Sequence, residues 1–561
     1  HAPTGPIVNL VWLKLSAGGK PVTWRRDAEE MYVVHCEVPA GASELEASFD
    51  FLTPSETGGY TSAASTTSQL AMISWNQVVL YPRGKASDDV TVAARLRLPS
   101  GWKFGTALPI ASQSPDGIVF KPVSLTTLVD SPVLAGMHFR TIKLNEGQSP
   151  AHQIDMVSDS AAALEMKPQS VAQYQNLVNE AGALFGARHY TNYRWLLTLS
   201  DHTAHFGLEH HESSDNRVGE NALSTDGGQR DLAGLLAHEF VHSWNGKYRR
   251  PAGLATADFG QPMKGELLWV YEGLTEYLGV ILPPRSGLWT PEVFRDTLAA
   301  MAASMDHTTG REWRSLADTA VAAQFLYRSP REWRSYRRGV DFYIEGTLIW
   351  LEADVIIRRE SRGQRSLDDF CKKFHGGTSG PPSVKPYTLE EIVSTLNSVA
   401  AYDWKGFFDR RVYSAEPRAP LEGITGGGWK LVYNDQPNID MKDREERYSS
   451  SDLTYSLGMQ VNEDGVIGDV VPGLPAYRAG LSPGMKLIAV DGRKWSAEVL
   501  RAAVKGSKGE SGPPQLLAEN GEFIKSYSLD YREGERYPHL ERDASKPDVL
   551  SEIIKPRGAK P

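Results

Sequence analysis

The residues richest in chemistry are His238-Glu239-Phe240-Val241-His242, within the run Asp231-Leu-Ala-Gly-Leu-Leu-Ala-His-Glu-Phe-Val-His-Ser-Trp. On a helix, positions four apart share a face, so both imidazoles can reach one zinc ion while the carboxylate of Glu239 projects toward a metal-bound water. The spacing therefore supplies two ligands and a general base. With 14 His in 561 residues, chance produces such a pattern in only about two chains in a hundred, which disfavours a pair of ordinary surface histidines. Leu232, Leu235, Leu236 and Phe240 mark the helix as buried, where unpaired His or Glu would be costly.

A catalytic zinc takes a third protein ligand and keeps a position open. Glu272, in Glu266-Leu-Leu-Trp-Val-Tyr-Glu-Gly-Leu-Thr-Glu-Tyr, is the best candidate, an acid in an otherwise apolar helix. Glu276 lies one turn later on the same face and is suited to accept a hydrogen bond from behind a ligating histidine, fixing its tautomer. The competing reading of both acids is a solvated helix charge.

These residues need elements to hold them. From residue 7 to about 160, short alternating runs such as Leu45 to Phe51 and Val90 to Leu98 are separated by Gly, Pro, Ser and Asp, which predicts an N-terminal β-sandwich or saddle over 1–160. Helical spacing begins near Ser170. After a strand at Tyr193 to Leu199, amphipathic helices dominate: Asp231 to Trp244, Leu267 to Val280, Pro291 to Met305, Phe342 to Arg359 and Leu389 to Leu396. Residues 161–425 thus read as a mainly helical catalytic domain. A glycine triplet at 426–428 and the charged, Ser-rich stretch that follows predict a linker over 426–452, then a β-rich module and polar tail over 453–561. The fold class expected is multidomain α+β.

Composition narrows the function. A chain of 561 residues with 41% apolar and 23% charged side chains is globular. Its formal charge of -9 offers no footprint for nucleic acid, and no apolar run reaches the roughly 18 residues of a membrane span. Cys36 and Cys371 are too few and too distant for a thiolate metal site, so His and carboxylates must hold any metal. The chain starts at His1 and carries no Asn-x-Ser/Thr acceptor, from which a periplasmic or secreted bacterial protein is expected.

His238 to Lys247, followed thirty positions after His242 by Glu272 in Trp-Val-Tyr-Glu-Gly-Leu-Thr-Glu-Tyr, resembles the glycyl aminopeptidase family of gluzincin metallopeptidases, whose thermolysin-like core is similar to that of aminopeptidase N and which carry a PDZ domain. The resemblance implies one zinc ion per chain on His238, His242 and Glu272, with Glu239 deprotonating the metal-bound water. It implies that Tyr343, in Phe-Tyr-Ile-Glu-Gly, donates to the oxyanion, and that Glu209, in Gly-Leu-Glu-His, anchors the free ammonium of a peptide substrate. Preference for small first residues, Gly or Ala, follows from the family alone. His210 and His211 are not read as a second metal site, because strand neighbours point to opposite faces. The Arg-rich segment Arg328 to Arg338 reads as a solvated helical face rather than a substrate carboxylate site. The C-terminal module is similar to a PDZ domain, with Leu457-Gly458-Met459 as the loop whose N–H groups hold a terminal carboxylate of a peptide ligand. Other readings remain open: an endopeptidase or an epoxide hydrolase on the same zinc core, or a peptide-binding protein with an inert zincin scaffold.

Overall fold

The alternating N-terminal runs form several small antiparallel sheets. In the computed structural model, which describes residues 6–60, 63–509 and 512–558, Leu10–Ala17 lies between Lys20–Val22 and Glu46–Phe51. A second group of short strands packs over Trp75, Phe120, Leu125, Leu128 and Val133. This is the expected β-rich domain, made of two- and three-stranded pieces.

The domain gives way to the next earlier than residue 160. Strands β1 (His138–Lys143) and β2 (Ala151–Ser158) belong to a five-stranded sheet with β3 (Asn192–Leu199), β4 (Phe206–Glu209) and β5 (Ser213–Val218), in the order β1-β2-β3-β5-β4. β2, β3 and β5 run parallel, and β4 returns antiparallel as the edge strand. Period-two alternation reveals a strand but not the sheet it joins, so these two strands read as part of the N-terminal run while pairing with the next sheet. Between β2 and β3 runs α1 (Pro168–Phe185), opened by a proline in its first turn and closed by Gly186 at φ 74°. Covered on both faces, β3 has five consecutive buried residues at its end, Trp195 to Leu199.

The zinc-motif helix, α2 (Asp226–Val241), starts five residues before the expected Asp231, because Thr225 caps it by accepting a hydrogen bond from Gly228 N–H and two glycines in its first turn mask the helical pattern. The expected helix from Leu267 is broken at Glu272: Leu268–Tyr271 makes one turn, and α3 (Gly273–Ser286) continues from it. α4 (Pro291–Asp306) and α5 (Ile344–Glu360) follow. α3 and α5 touch at two glycines. A Cβ on Gly273 would lie 2.8 Å from Gly346 Cα, so this close crossing, which sets the start of α5 beside the metal motif, excludes any larger side chain.

Residues 426–452 are not a linker. They form β6 (Trp429–Asn434) and α6 (Ile439–Tyr448). Asp443 pairs with Arg230 of α2 at 2.6 and 2.8 Å, and the Asn438 amide donates to Asp296 O and Pro538 O at 2.9 Å each. The polar residues that suggested a boundary are used in pairing with the catalytic body. Nor is the polar tail a tail: β10 (Tyr537–Arg542) pairs antiparallel with β6, and Leu540, Leu550 and Ile553 join the same hydrophobic core as the zinc-motif helix. The chain leaves the catalytic body, builds a module and returns.

That module has its own core of Leu453, Met459, Val461, Leu487, Leu500 and Leu516. Its strands β7 (Ser450–Leu453), β8 (Met459–Asn462) and β9 (Ile467–Val470) form one sheet, with β8 in the middle, and Ala497–Gly506 packs as a helix beside them. Among the described residues no helix is long and apolar enough to cross a membrane.

Candidate metal centre and active site

α2 delivers His238 and His242 to one face, and the break between the one-turn helix and α3 turns Glu272 toward them. His242 Nε2 lies 3.1 Å from His238 Nε2 and 3.1 Å from Glu272 Oε2, and His238 Nε2 lies 3.5 Å from the same oxygen. Zinc bonds of about 2.0–2.1 Å at tetrahedral angles place ligand atoms about 3.3 Å apart, so the set has the dimensions of a metal site. The tautomers agree. His242 Nδ1 is 3.0 Å from Asn245 O and His238 Nδ1 is 2.7 Å from Glu276 Oε2, partners that accept only. With each Nδ1 turned toward an acceptor, the two Nε2 atoms face each other and a carboxylate. Such an array calls for a cation. Burial disfavours charge on His238, yet Glu272 and Glu276 outweigh it and hold its pKa well above the usual imidazole value.

Glu239 is buried beside this array. Burial, reinforced by the carboxylates of Glu209 and Glu272 and opposed by His238, pushes its pKa well above the carboxylate range. Its Oε2 has no hydrogen-bond partner, which leaves it a free acceptor in the cleft. The edge strand β4 passes directly over it: a Cβ on Gly207 would fall 2.0 Å from Glu239 Oε1, so only glycine allows that approach. Two residues on, Glu209 accepts a hydrogen bond of 2.5 Å from Tyr271 Oη, and ligand atoms of Glu209, Glu239 and His242 lie within 4.8 Å of one another.

Tyr343 caps the N-terminus of α5, with its ring 5.9 Å from that of His238 and its hydroxyl 2.7 Å from Tyr327 Oη. Burial, with the charge of Glu272, raises its pKa well above that of free phenol, so the group stays a donor. The loop before it is locked by Arg338, which is buried and pairs with Asp341 at 2.8 Å and with Glu345. Arg338 is thus an internal clamp and departs from the solvated face expected of the Arg-rich segment.

His210 and His211 face Asp130 of the N-terminal domain. Asp130 accepts from His211 N–H at 2.7 Å, meets Lys247 Nζ at 2.6 Å and stands 3.5 Å from His210 Nδ1. This cluster fastens the end of β4.

Several residues of the site carried no legible signal. Asn245 is fully buried; its amide donates to Val270 O, Tyr271 O and Thr275 Oγ1 at 2.9–3.1 Å, so it ties the end of the zinc-motif helix to the Glu272 segment. Its position three residues after His242 was the one hint. Tyr271 and Tyr60, the latter from the N-terminal domain, reach the cleft through contacts that sequence spacing does not encode.

The module's expected carboxylate loop is closed. Leu457 N–H and Gly458 N–H both donate to Leu453 O, at 2.9 and 3.0 Å, and Gly458 O accepts from Val471 N–H. The chain's own β7 already pairs with β8, in register Leu453↔Met459 and Ser451↔Val461.

A two-histidine, one-glutamate set on a helix and its neighbour, next to an edge strand, could hold a metal ion, and the chain is a metallopeptidase of aminopeptidase type. Family comparison makes this particular: residues 231–349 match the M61 glycyl aminopeptidase model and residues 1–137 the Peptidase M61 N-terminal domain. No curated protein sequence matches the chain. Among solved structures, an aminopeptidase N family protein from Idiomarina loihiensis shares the fold with a TM-score of 0.78 at 17% identity, covering 98% of this chain and 92% of that one. A variant of an M1 zinc metallopeptidase from Deinococcus radiodurans, bound to a Tyr-Ser-Ala substrate, aligns at a TM-score of 0.44 and 15% identity, over 74% of this chain and 87% of that one.

Proposed function

We propose that the chain is a zinc-dependent aminopeptidase that removes a small first residue, glycine or alanine, from peptides, with one zinc ion held by His238, His242 and Glu272. The observation that carries this reading is the convergence of Glu209, Glu239 and His242 within 4.8 Å, which sets an ammonium anchor next to a base and a metal ligand. Bound zinc supplies a Lewis acid that polarises the scissile carbonyl and acidifies water. Glu239, with a buried, unpartnered Oε2, takes the proton of the attacking water and passes it to the leaving amine. Tyr343 stays protonated and donates to the oxygen on which negative charge builds. Glu209, fixed by Tyr271, binds the substrate ammonium and so sets the distance from the chain's first atom to the bond that is cut. Glu276 orients His238, as Asn245 O orients His242.

An anchored carboxylate of this kind favours an exopeptidase over an endopeptidase or an epoxide-opening enzyme. The C-terminal module we read as PDZ-like, with its ligand strand supplied by its own chain.

Glu239→Gln tests the mechanism. The variant is expected to retain about one zinc per chain by metal analysis while kcat falls by about 10²–10⁴, the range of general-base contributions. Turnover close to that of the unaltered enzyme would refute the assignment.

A further inference from the structure

From the N-terminal domain the aromatic side chain of Tyr60 reaches the catalytic cleft. Its ring stacks on Tyr327, with centroids 5.8 Å apart and planes 14° from parallel, and leans on Phe206 of β4 at 5.0 Å. Its hydroxyl donates to Gly207 O at 3.3 Å. Tyr327 in turn shares the 2.7 Å hydrogen bond with Tyr343. A continuous aromatic wall therefore runs from the edge strand to the residue that caps α5, and three parts of the chain that are distant in sequence build it.

The wall stands where a substrate's first side chain must go. Along β4 the backbone groups of Gly207 face outward, as the approach of Tyr60 to its carbonyl shows, and Glu209, two residues on, faces the same way. A peptide whose ammonium sits on Glu209 and whose first carbonyl lies between Glu239 and Tyr343 has its first α-carbon between those groups. α2 and the metal ligands stand on one side of that position, and the stacked rings of Tyr60 and Tyr327, which continue to Tyr343, stand on the other, so the first side chain projects toward them. The ring is 38% exposed, open to the cleft; desolvation and then the nearby carboxylate of Glu209 raise its pKa above that of free phenol.

We infer that Tyr60 is a specificity-determining residue, whose ring closes the subsite for the first side chain and restricts the enzyme to small residues. The inference rests on the aminopeptidase reading above and names the structural origin of the preference for glycine and alanine. Tyr60 touches the substrate by shape; its hydroxyl holds the ring in place through Gly207 O and takes no part in the bond cleavage.

The test compares kcat/KM of the full-length enzyme on glycyl, alanyl, leucyl and phenylalanyl anilides for Tyr60→Ala, Tyr60→Phe and Tyr60→Trp, with zinc content and thermal melting recorded for each. A single buried-group mismatch in an apolar subsite is worth about 10–200-fold in discrimination. In Tyr60→Ala the leucyl-to-alanyl ratio should rise by at least about tenfold; Tyr60→Phe, which keeps the ring, should leave the ratio within about twofold, and Tyr60→Trp should lower the alanyl rate relative to the glycyl one. A general loss of structure would lower all substrates together and leave the ratios fixed. Unchanged ratios in both Tyr60→Ala and Tyr60→Trp, with turnover of the alanyl substrate retained, would overturn the inference while leaving the aminopeptidase reading intact. Failure of the unaltered enzyme to cleave any of the four substrates would instead remove the reading on which it rests.

Discussion

Two strands in this molecule, β4 and β8, have the geometry to receive an extended peptide, and the molecule treats them oppositely. β4 is the edge of its sheet, and its outward side faces Glu239, the His238, His242 and Glu272 set, and Tyr343. The corresponding side of β8 is filled by β7, which is covalently continuous with it, and the loop between them directs its N–H groups to Leu453 O. The first strand keeps an edge beside buried Glu239, whose Oε2 is unpartnered; the second gives up its edge to its own chain, and the Leu457 and Gly458 N–H groups beside it are paired. Binding energy is available for a ligand at β4, and at β8 it has already been used in folding.

The sharpest way to break this contrast is at Glu209. Glu209→Ala should lower kcat/KM on free-amine substrates by about 10²-fold or more, as expected when a charge-assisted contact that positions the reacting bond is removed, and should barely change the much slower cleavage of N-acylated ones. Equal losses on both classes would mean that β4 does not hold the ammonium. A smaller effect is expected at the closed strand. Leu453 is 1% exposed and packs in the module core, so Leu453→Ala should destabilise the module by about 2–4 kcal/mol, measured by denaturant unfolding, with kcat unchanged. In the unaltered protein, a fluorescent peptide with a free C-terminal carboxylate should show no saturable binding to the module; saturable binding would show that β7 yields its place to a ligand.

Sequence made one of these strands far more legible than the other. His238, Glu239 and His242 lie on a single helix, and Glu272 and Glu276 stand out in an apolar context, so local spacing was enough to assemble them, and the structure brings them together. Glu209 and Tyr343 came through family resemblance, and both line the same cleft. The groups that fix the ligands, Asn245 among them, and the tyrosine from the N-terminal domain come together only in three dimensions, through packing over large sequence separations. The polar segment 426–452 misled for a physical reason: Asn438 and Asp443 look like solvated loop residues until their partners on α2, α4 and β10 are known. Likewise, nothing in Leu457-Gly458-Met459 reveals that the Leu457 and Gly458 N–H groups are already bonded to Leu453 O.

The central claim, a metal-dependent enzyme that requires a free substrate amine, is tested most directly by the rates on alanyl anilide and on its N-acetylated counterpart before chelation, after chelation and after zinc is returned. The account predicts rapid cleavage of the free-amine substrate, its loss on chelation, its recovery with about one equivalent of zinc per chain, and little cleavage of the acetylated substrate throughout. Comparable cleavage of the two substrates, or full activity in the chelated protein, would contradict it.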